Sequence, residues 1–337
     1  MQNVVVIRGD GIGPEIMDVA TSIIDQFKLP IKWHYMSAGA DALAEKGALI
    51  PEETIAAVKK HKIVLKGPIT TPIGKGFKSV NVQMRKMFDL SSNIRPASTH
   101  IQLHTRYEPF DIVVFRENTE GLYGGEEYER EDGAMIAQKV VTRFKSRRIM
   151  KSACDYALAN GYSKITIGHK ANILKMADGL FLAQALEVAK DYPTLTVEAL
   201  IIDNLCAQVV SKPESFQVIV TTNLYGDILS DLLGGMVGSI GVLASINIGE
   251  EIAFFEPVHG SAPDIVGLSQ ANPVGLLLSA ALMLNHMGYA KEGKQLEEGV
   301  NELINDDLVR TSDIGGDAST SEFSKALIEK LSEVIGC

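Results

Sequence analysis

The chain has few cysteines. Among its 337 residues only Cys154, Cys206 and Cys337 are cysteine, and they share no short spacing. That excludes a disulfide-stapled scaffold and a cysteine-ligated metal, and we expect a reducing, cytoplasmic setting. It also lacks any apolar run near the ~18 residues that a membrane-spanning helix needs, so no membrane association is expected. Met1 leads directly into Val4-Val-Val-Ile7, which reads as a strand rather than a cleaved leader. Basic blocks are absent too. Lys and Arg number 32 against 42 Asp and Glu, the net charge is -10, and the cations are scattered. Nucleic acid, which needs a basic footprint, is therefore not an expected partner. There is no repeat, no low-complexity linker and no clean domain boundary, which suggests a chain that crosses between lobes and returns.

What is there is an alternation of strand and helix patterns, with 46% apolar residues. The stretch that organises it is Asn223-Leu-Tyr-Gly-Asp227-Ile-Leu-Ser-Asp231, after the buried-strand run Val218-Ile-Val-Thr-Thr222. On a helix Asp227 and Asp231 stack one turn apart on one face. Like charges repel there, and no Lys or Arg in the segment relieves them. Two hard oxygen donors at a strand-to-helix turn suit Mg²⁺ or Mn²⁺. The plainer alternative is a solvated face with a carboxylate near a helix N-terminus.

In chain order, Arg8-Gly-Asp-Gly-Ile-Gly-Pro-Glu15 reads as a tight turn before a helix over 16–27, with Pro14 in its first turn. Its glycines miss the G-x-G-x-x-G spacing of a dinucleotide fingerprint. Residues 51–60 read as helix and 63–67 as strand. Gly67 to Gly76 reads as a breaker-rich loop of the sort that carries ligand sites. A helix from Ser79 to Leu90 carries Arg85, and Asn93-Ile-Arg95-Pro follows. Asp111-Ile-Val-Val-Phe-Arg116 is a strand ending in arginine, and Lys164-Ile-Thr-Ile-Gly-His-Lys170 one ending in lysine. The strand from Thr196 ends at Asp203. Residues 124–142 suggest a projecting hairpin, Gly234 to Gly241 a glycine-rich break, and Glu256 to Ile265 a loop. Helices are expected over 146–160, up to about 190, and over 273–287, 292–304 and 319–335.

The strand ends share one chemistry. Arg85, Arg95 and Arg116 suit a cationic pocket, because a guanidinium fork binds carboxylates bidentately. Singly, each is better explained by a surface ion pair. With Lys170, Asp203 and Tyr123 they describe an anionic substrate, a divalent metal, and Lys or Tyr for proton transfer.

Five ordered motifs carry a resemblance that runs essentially end to end. They are Gly9-Asp-Gly-Ile-Gly-Pro-Glu15, Arg116-Glu-Asn-Thr-Glu-Gly121, His169-Lys-Ala-Asn172, Asn223 to Asp231, and His259-Gly-Ser-Ala-Pro-Asp264. The chain resembles the β-decarboxylating dehydrogenases of isocitrate, isopropylmalate and homoisocitrate. The resemblance implies a two-lobed α/β fold that is not a Rossmann fold. It implies a large, cofactor-side lobe of residues 1–89 plus 240–337. The small lobe of residues 90–239 would carry the dimer interface and an arm near 124–142. The resemblance further implies a homodimer whose active sites are shared between subunits.

Residue by residue, Arg85, Arg95 and Arg116 would hold the substrate carboxylates. Asp227 and Asp231 would bind Mg²⁺ or Mn²⁺, with Asp203 from the other subunit. Lys170, also from the other subunit, would assist removal of the hydroxyl proton, and Tyr123 would protonate the carbon left by CO₂. The cofactor positions would be Thr71, Asn172, Glu256, His259, Gly260, Ser261, Ala262, Asp264, Ile265, Asn272 and Asp313. Members that use NADP carry lysine and tyrosine where this chain has Asp264 and Ile265, so NAD is expected. Ser79 and Asn81, a hydroxyl and an amide before Arg85, match isocitrate enzymes. They would be left unpaired against an isopropyl group, at ~1–3 kcal/mol each. We therefore expect isocitrate, with homoisocitrate second and isopropylmalate third. Ser79 as a mere helix cap is the alternative. Two other classes remain, a silent regulatory subunit and a two-lobed small-molecule binding protein. The presence of Tyr123, Lys170 and the aspartates argues against the first.

Overall fold

Val4 to Ile7 are completely buried, as a strand covered on both faces requires. In the computed structural model they belong to strand β1 (Gln2–Ile7), and the structure describes residues 1–70, 79–99, 101, 103, 105–305 and 309–335. The chain then runs α1 (Gly13–Gln26), β2 (Ile31–Met36), α2 (Ala40–Lys46), α3 (Glu52–His61), β3 (Ile63–Lys66), α4 (Val80–Met87), β4 (Ser92–Ser98) and β5 (Asp111–Glu117). Next come β6 (Glu127–Glu129), β7 (Met135–Ala137), α5 (Arg143–Ala159), β8 (Lys164–His169), α6 (Ala177–Ala189), β9 (Thr196–Ile201), α7 (Ile202–Ser211), β10 (Val218–Thr221) and α8 (Asn223–Val237). It closes with β11 (Ala244–Ile248), β12 (Ala253–Pro257), α9 (Val274–His286), α10 (Ala290–Asn305) and α11 (Thr320–Ile335).

Two compact units emerge. One holds Met1–Phe88, His100–Thr105 and Val237–Cys337, the other Asp89–Thr99 and Arg106–Met236. The first unit has strand order β2-β1-β3-β12-β11, parallel except for the β11–β12 pair. Helix α9 lies in its core. It is apolar almost all round, with Leu276, Leu277, Met283 and Leu284 fully buried. The turn after β1 joins three segments. Asp10 accepts from the Thr70 amide at 2.8 Å and from Ala40 at 3.3 Å, and Ile12 N–H donates to Ser261 O at 3.0 Å. Gly11 has φ +60°, and a Cβ there would stand 2.1 Å from Ser261 O, so only glycine closes this joint.

The second unit has order β4-β5-β10-β8-β9, with β4 antiparallel to β5 and the other pairs parallel. Register places Thr221 beside both Arg116 and Gly168, so the carboxyl ends of β5, β10 and β8 share one edge. This is where ligands collect in parallel α/β sheets. Strands β6 and β7 form an exposed hairpin within the expected arm, closed by Gly133 at φ +82°.

Several expectations change. Asp203 does not end a strand. Strand β9 stops at Ile201, and Asp203 lies in the first turn of α7, where a carboxylate meets the free amide groups of the helix end. Gly234 and Gly235 do not break the chain, because α8 runs through them to Val237. Glu256 and Pro257 are the end of β12, not loop.

Candidate active site

Only Thr222 separates β10 from helix α8, which is seated against Arg116 by Gly226. A Cβ at Gly226 would stand 2.6 Å from the Arg116 Cβ. Arg116 is 1% exposed. Its Nε and Nη2 donate to Asn223 Oδ1 at 2.9 and 2.7 Å, and its Nη1 to Asp227 Oδ1. Arg95 enters from the antiparallel β4. Its Nη1 donates to Ser230 Oγ at 2.6 Å and Asp231 Oδ1 at 3.1 Å, with Asp227 Oδ1 at 3.4 Å. Tyr123 donates to Asp227 Oδ2 at 2.5 Å, and its ring centre lies 5.1 Å from the Arg116 guanidinium carbon. Five of the expected residues, Arg95, Arg116, Tyr123, Asp227 and Asp231, thus form one cluster.

The repulsion between the two aspartates is relieved by these arginines, 111 and 136 residues from the carboxylates they meet. The need for a cation inferred from the helix alone is thereby reduced. Burial pushes the Asp231 carboxyl above its usual range, Arg95 pulls it down, and the Asp227 charge pushes it up again. Asp231 remains 51% exposed, so it presents carboxylate oxygen to solvent. Two carboxylates on successive turns are the donor chemistry a hard divalent cation takes. Among the described residues, however, no group of three His, Cys, Asp or Glu is placed to hold a metal. The residues fit a cation as part of a ligand set.

Lys170 and Asp203 pair with each other instead, Nζ to Oδ1 at 2.5 Å. Behind them, the buried Asp178 accepts the Lys170 amide through Oδ2 at 2.7 Å and pairs through Oδ1 with Lys139. His169 Nδ1 accepts the Ala171 amide at 3.1 Å, and Asn172 lies exposed in the turn beyond.

In the first unit, Arg85 is 3.8 Å from Glu256 Oε1. Glu256 pairs with Lys66 and accepts from Asn247 Nδ2 at 2.6 Å. Burial works to raise the Glu256 carboxyl, but the Lys66 and Arg85 charges outweigh it and hold it below its usual range. Lys66, 2% exposed, was not singled out from the sequence. The signal that marked Lys170, a cation ending an apolar strand, marks Lys66 equally. Ser79 does cap α4, its Oγ accepting the Val82 amide at 3.4 Å while its O–H stays able to donate. Asn81 Oδ1 is buried without a partner among the described residues.

A cleft of 510 Å³ in the same unit is lined by His259, Gly260, Ala262, Ile265, Asn272 and Asp313 from the expected cofactor set, and by Ile12, Ser239, Ile240, Gly241, Gln270 and Ser312 outside it. Asp313 Oδ2 accepts from Asn272 Nδ2 at 2.9 Å and Ser239 Oγ at 3.1 Å, and its Oδ1 from Thr311 at 2.6 Å. Asn272 Oδ1 accepts the Val274 amide at 3.0 Å, so its side chain shapes the wall rather than facing a ligand. His259 Nδ1 donates to Gly260 O at 2.9 Å, which leaves Nε2 an acceptor, buried and without a partner among the described residues. Burial lowers the ring's affinity for a proton, with Gly260 O and Asp313 opposing. Such a buried acceptor fits a ligand that brings a donor, as a nucleotide does. Ser261 is buried against Thr70, its Oγ 2.6 Å from the threonine hydroxyl. Asp264 is exposed on the short helical turn Pro263–Ile265. Thr71 lies outside the described residues.

A family model described as isocitrate/isopropylmalate dehydrogenase matches residues 3–327. A mitochondrial isocitrate dehydrogenase (NAD) regulatory subunit from Dictyostelium discoideum is 44% identical over 334 residues, 99% of this chain and 93% of that one. The mitochondrial isocitrate dehydrogenase (NAD) catalytic subunit 5 of Arabidopsis thaliana is 41% identical over 324 residues, 96% and 87% of the two chains. The crystal structure of isocitrate dehydrogenase from Methylococcus capsulatus superposes with a TM-score of 0.95 at 41% identity, covering 98% of this chain and 99% of the other.

Proposed function

Because this chain belongs to the isocitrate/isopropylmalate dehydrogenase family, we propose that it catalyses the oxidative decarboxylation of isocitrate to 2-oxoglutarate and CO₂, with reduction of NAD. The observation that carries this reading is the cluster in which two buried arginines, Tyr123 and two aspartates converge on α8. A silent regulatory subunit has no need of that arrangement, and neither has a binding protein.

Arg95 and Arg116 present fixed guanidinium groups that bind and orient the substrate carboxylates, and Arg85 would add a third. Asp227 and Asp231 would hold Mg²⁺ or Mn²⁺, which when bound supplies Lewis-acid withdrawal of charge from the substrate oxygens. Tyr123 directs its hydroxyl proton at a carboxylate next to the Arg116 charge, and in this reading it gives that proton to the carbon that loses CO₂. Lys170 takes part in removal of the hydroxyl proton. The cleft beside His259 and Asp313 would hold the adenosine end of NAD, and the exposed Asp264 would accept from its ribose.

We further read the active unit as a homodimer in which Lys170 and Asp203 serve the site of the other subunit. Lys170 pairs with Asp203, no third carboxylate among the described residues joins Asp227 and Asp231 to hold a metal, and Ile173, Met176 and Ile228 expose 67%, 87% and 57% of their surface. A cytoplasmic location remains part of the reading.

The test is a panel assay of isocitrate, homoisocitrate and isopropylmalate, each with NAD and NADP. Isocitrate with NAD should give the highest kcat/KM. A higher value with homoisocitrate would replace the substrate, and one with NADP the cofactor.

A further inference from the structure

Asp178 is the most thoroughly enclosed carboxylate near the reacting groups, and the chemistry above leaves it without a task. It is 0% exposed, on the first turn of α6. Its Oδ2 accepts the Lys170 amide at 2.7 Å, and its Oδ1 pairs with Lys139 from the segment after β7. The Lys139 ammonium lies 4.4 Å from the ring centre of Tyr225, whose hydroxyl faces the same carboxylate. Tyr225 belongs to α8, two residues before Asp227. One buried anion therefore touches the arm, the helix of the aspartate pair and the peptide that carries Lys170.

We propose that Asp178 is a positioning residue that fixes Lys170, with Lys139 as its counter-ion. The inference rests on the shared-site reading, because Lys170 is taken to work in the other subunit's site. The amide bond holds the turn where β8 ends, and a wandering turn would carry Nζ off its place beside Asp203. A buried carboxylate with a matched cation keeps that bond rigid at little net cost, whereas Asp178 without Lys139 would be an uncompensated buried charge. A misplacement of about 1 Å in such a group costs up to about 100-fold in rate.

Mixed dimers provide the test. Lys170→Met and Tyr123→Phe, inactive alone, should recover activity when co-refolded, since one site of the heterodimer is intact. Asp178→Ala should then behave as a member of the Lys170 class. It should recover activity with Tyr123→Phe and none with Lys170→Met. The opposite pattern would mean that Asp178 acts through Tyr225 and α8 on its own subunit's site, and it would overturn the proposal. Recovery with neither partner would mark a general structural role and would also overturn it. If the Lys170→Met and Tyr123→Phe control itself fails to recover, the shared-site reading has failed. The proposal is then judged on the Asp178→Ala enzyme alone, where a lowered kcat with unchanged KM for isocitrate and NAD supports it and a rise in KM at unchanged kcat refutes it. Should Asp178→Ala not fold, Lys139→Met with Asp178→Leu removes the amide acceptor without stranding a charge, and the same pattern is expected.

Discussion

Replacing Asp227 by asparagine keeps the side chain's shape and removes one charge from the cluster on α8. Two arginines, 1% and 7% exposed, now face two aspartates. After the change they face Asp231 alone, and the single amide oxygen keeps Arg116 only if the amide nitrogen turns to Tyr123, whose hydroxyl must then accept instead of donate. Removing one member of a buried ion pair costs about 3–5 kcal/mol. Asp227 is 30% exposed, so solvent screens part of this, and asparagine still offers an acceptor to Arg116. We therefore expect about 2–3 kcal/mol, read as a lower urea midpoint at unchanged slope. Asp231→Asn is the internal control. Its side chain is 51% exposed and its ion pair partly solvated, so it should cost less than about 1 kcal/mol. In turnover the ranking disappears, since both variants should lose orders of magnitude and need more added Mg²⁺ or Mn²⁺. Equal stability losses in the two variants would refute the burial argument. Full activity of wild type in excess chelator would remove the divalent cation from the proposed chemistry.

Three further outcomes are expected. Gly241→Ala should raise the KM for NAD with little change in kcat, because the new Cβ would stand 2.6 Å from Asp313 Oδ2 and push it off Asn272. Stability should fall as pH drops below about 6.5, the ordinary histidine value. His169 is buried and held below that value mainly by desolvation, against the Asp178 charge, so the unfolded chain takes up the proton first and gains by it. A His169→Asn variant should show a shallower slope between pH 7 and 5, and an unchanged slope would refute this. Ser79→Ala with Asn81→Ala should lower turnover of isocitrate. Wild-type turnover in that variant would reduce Ser79 to its observed capping role, leave Asn81 without a part, and reopen homoisocitrate as the substrate.

The site was legible where its chemistry is local. Arg116 and Lys170 could be found because each is a cation at the end of an apolar strand, and Asp227 and Asp231 because four residues of helix put them on one face. Strand β4 was harder. Ser92–Ser98 carries Asn93, Arg95 and Pro96, and its Arg95 turns toward Ser230 of α8 rather than toward water. For the same reason the partners of the aspartate pair were invisible. Local pattern shows two like charges that want a cation, while the fold supplies two from β4 and β5. Asp203 was misplaced because Ile201-Ile-Asp203 continues an apolar run across the boundary where β9 becomes α7, and periodicity cannot locate a switch of element inside such a run. Asp178 shows the limit most clearly. In sequence it is an ordinary acidic residue in a helical first turn. Its meaning comes from Lys139, Lys170 and Tyr225, which only the packing of the hairpin's end, β8 and α8 brings to one carboxylate. Local pattern identifies the groups that would meet a substrate, and tertiary packing decides which charges neutralise one another behind them.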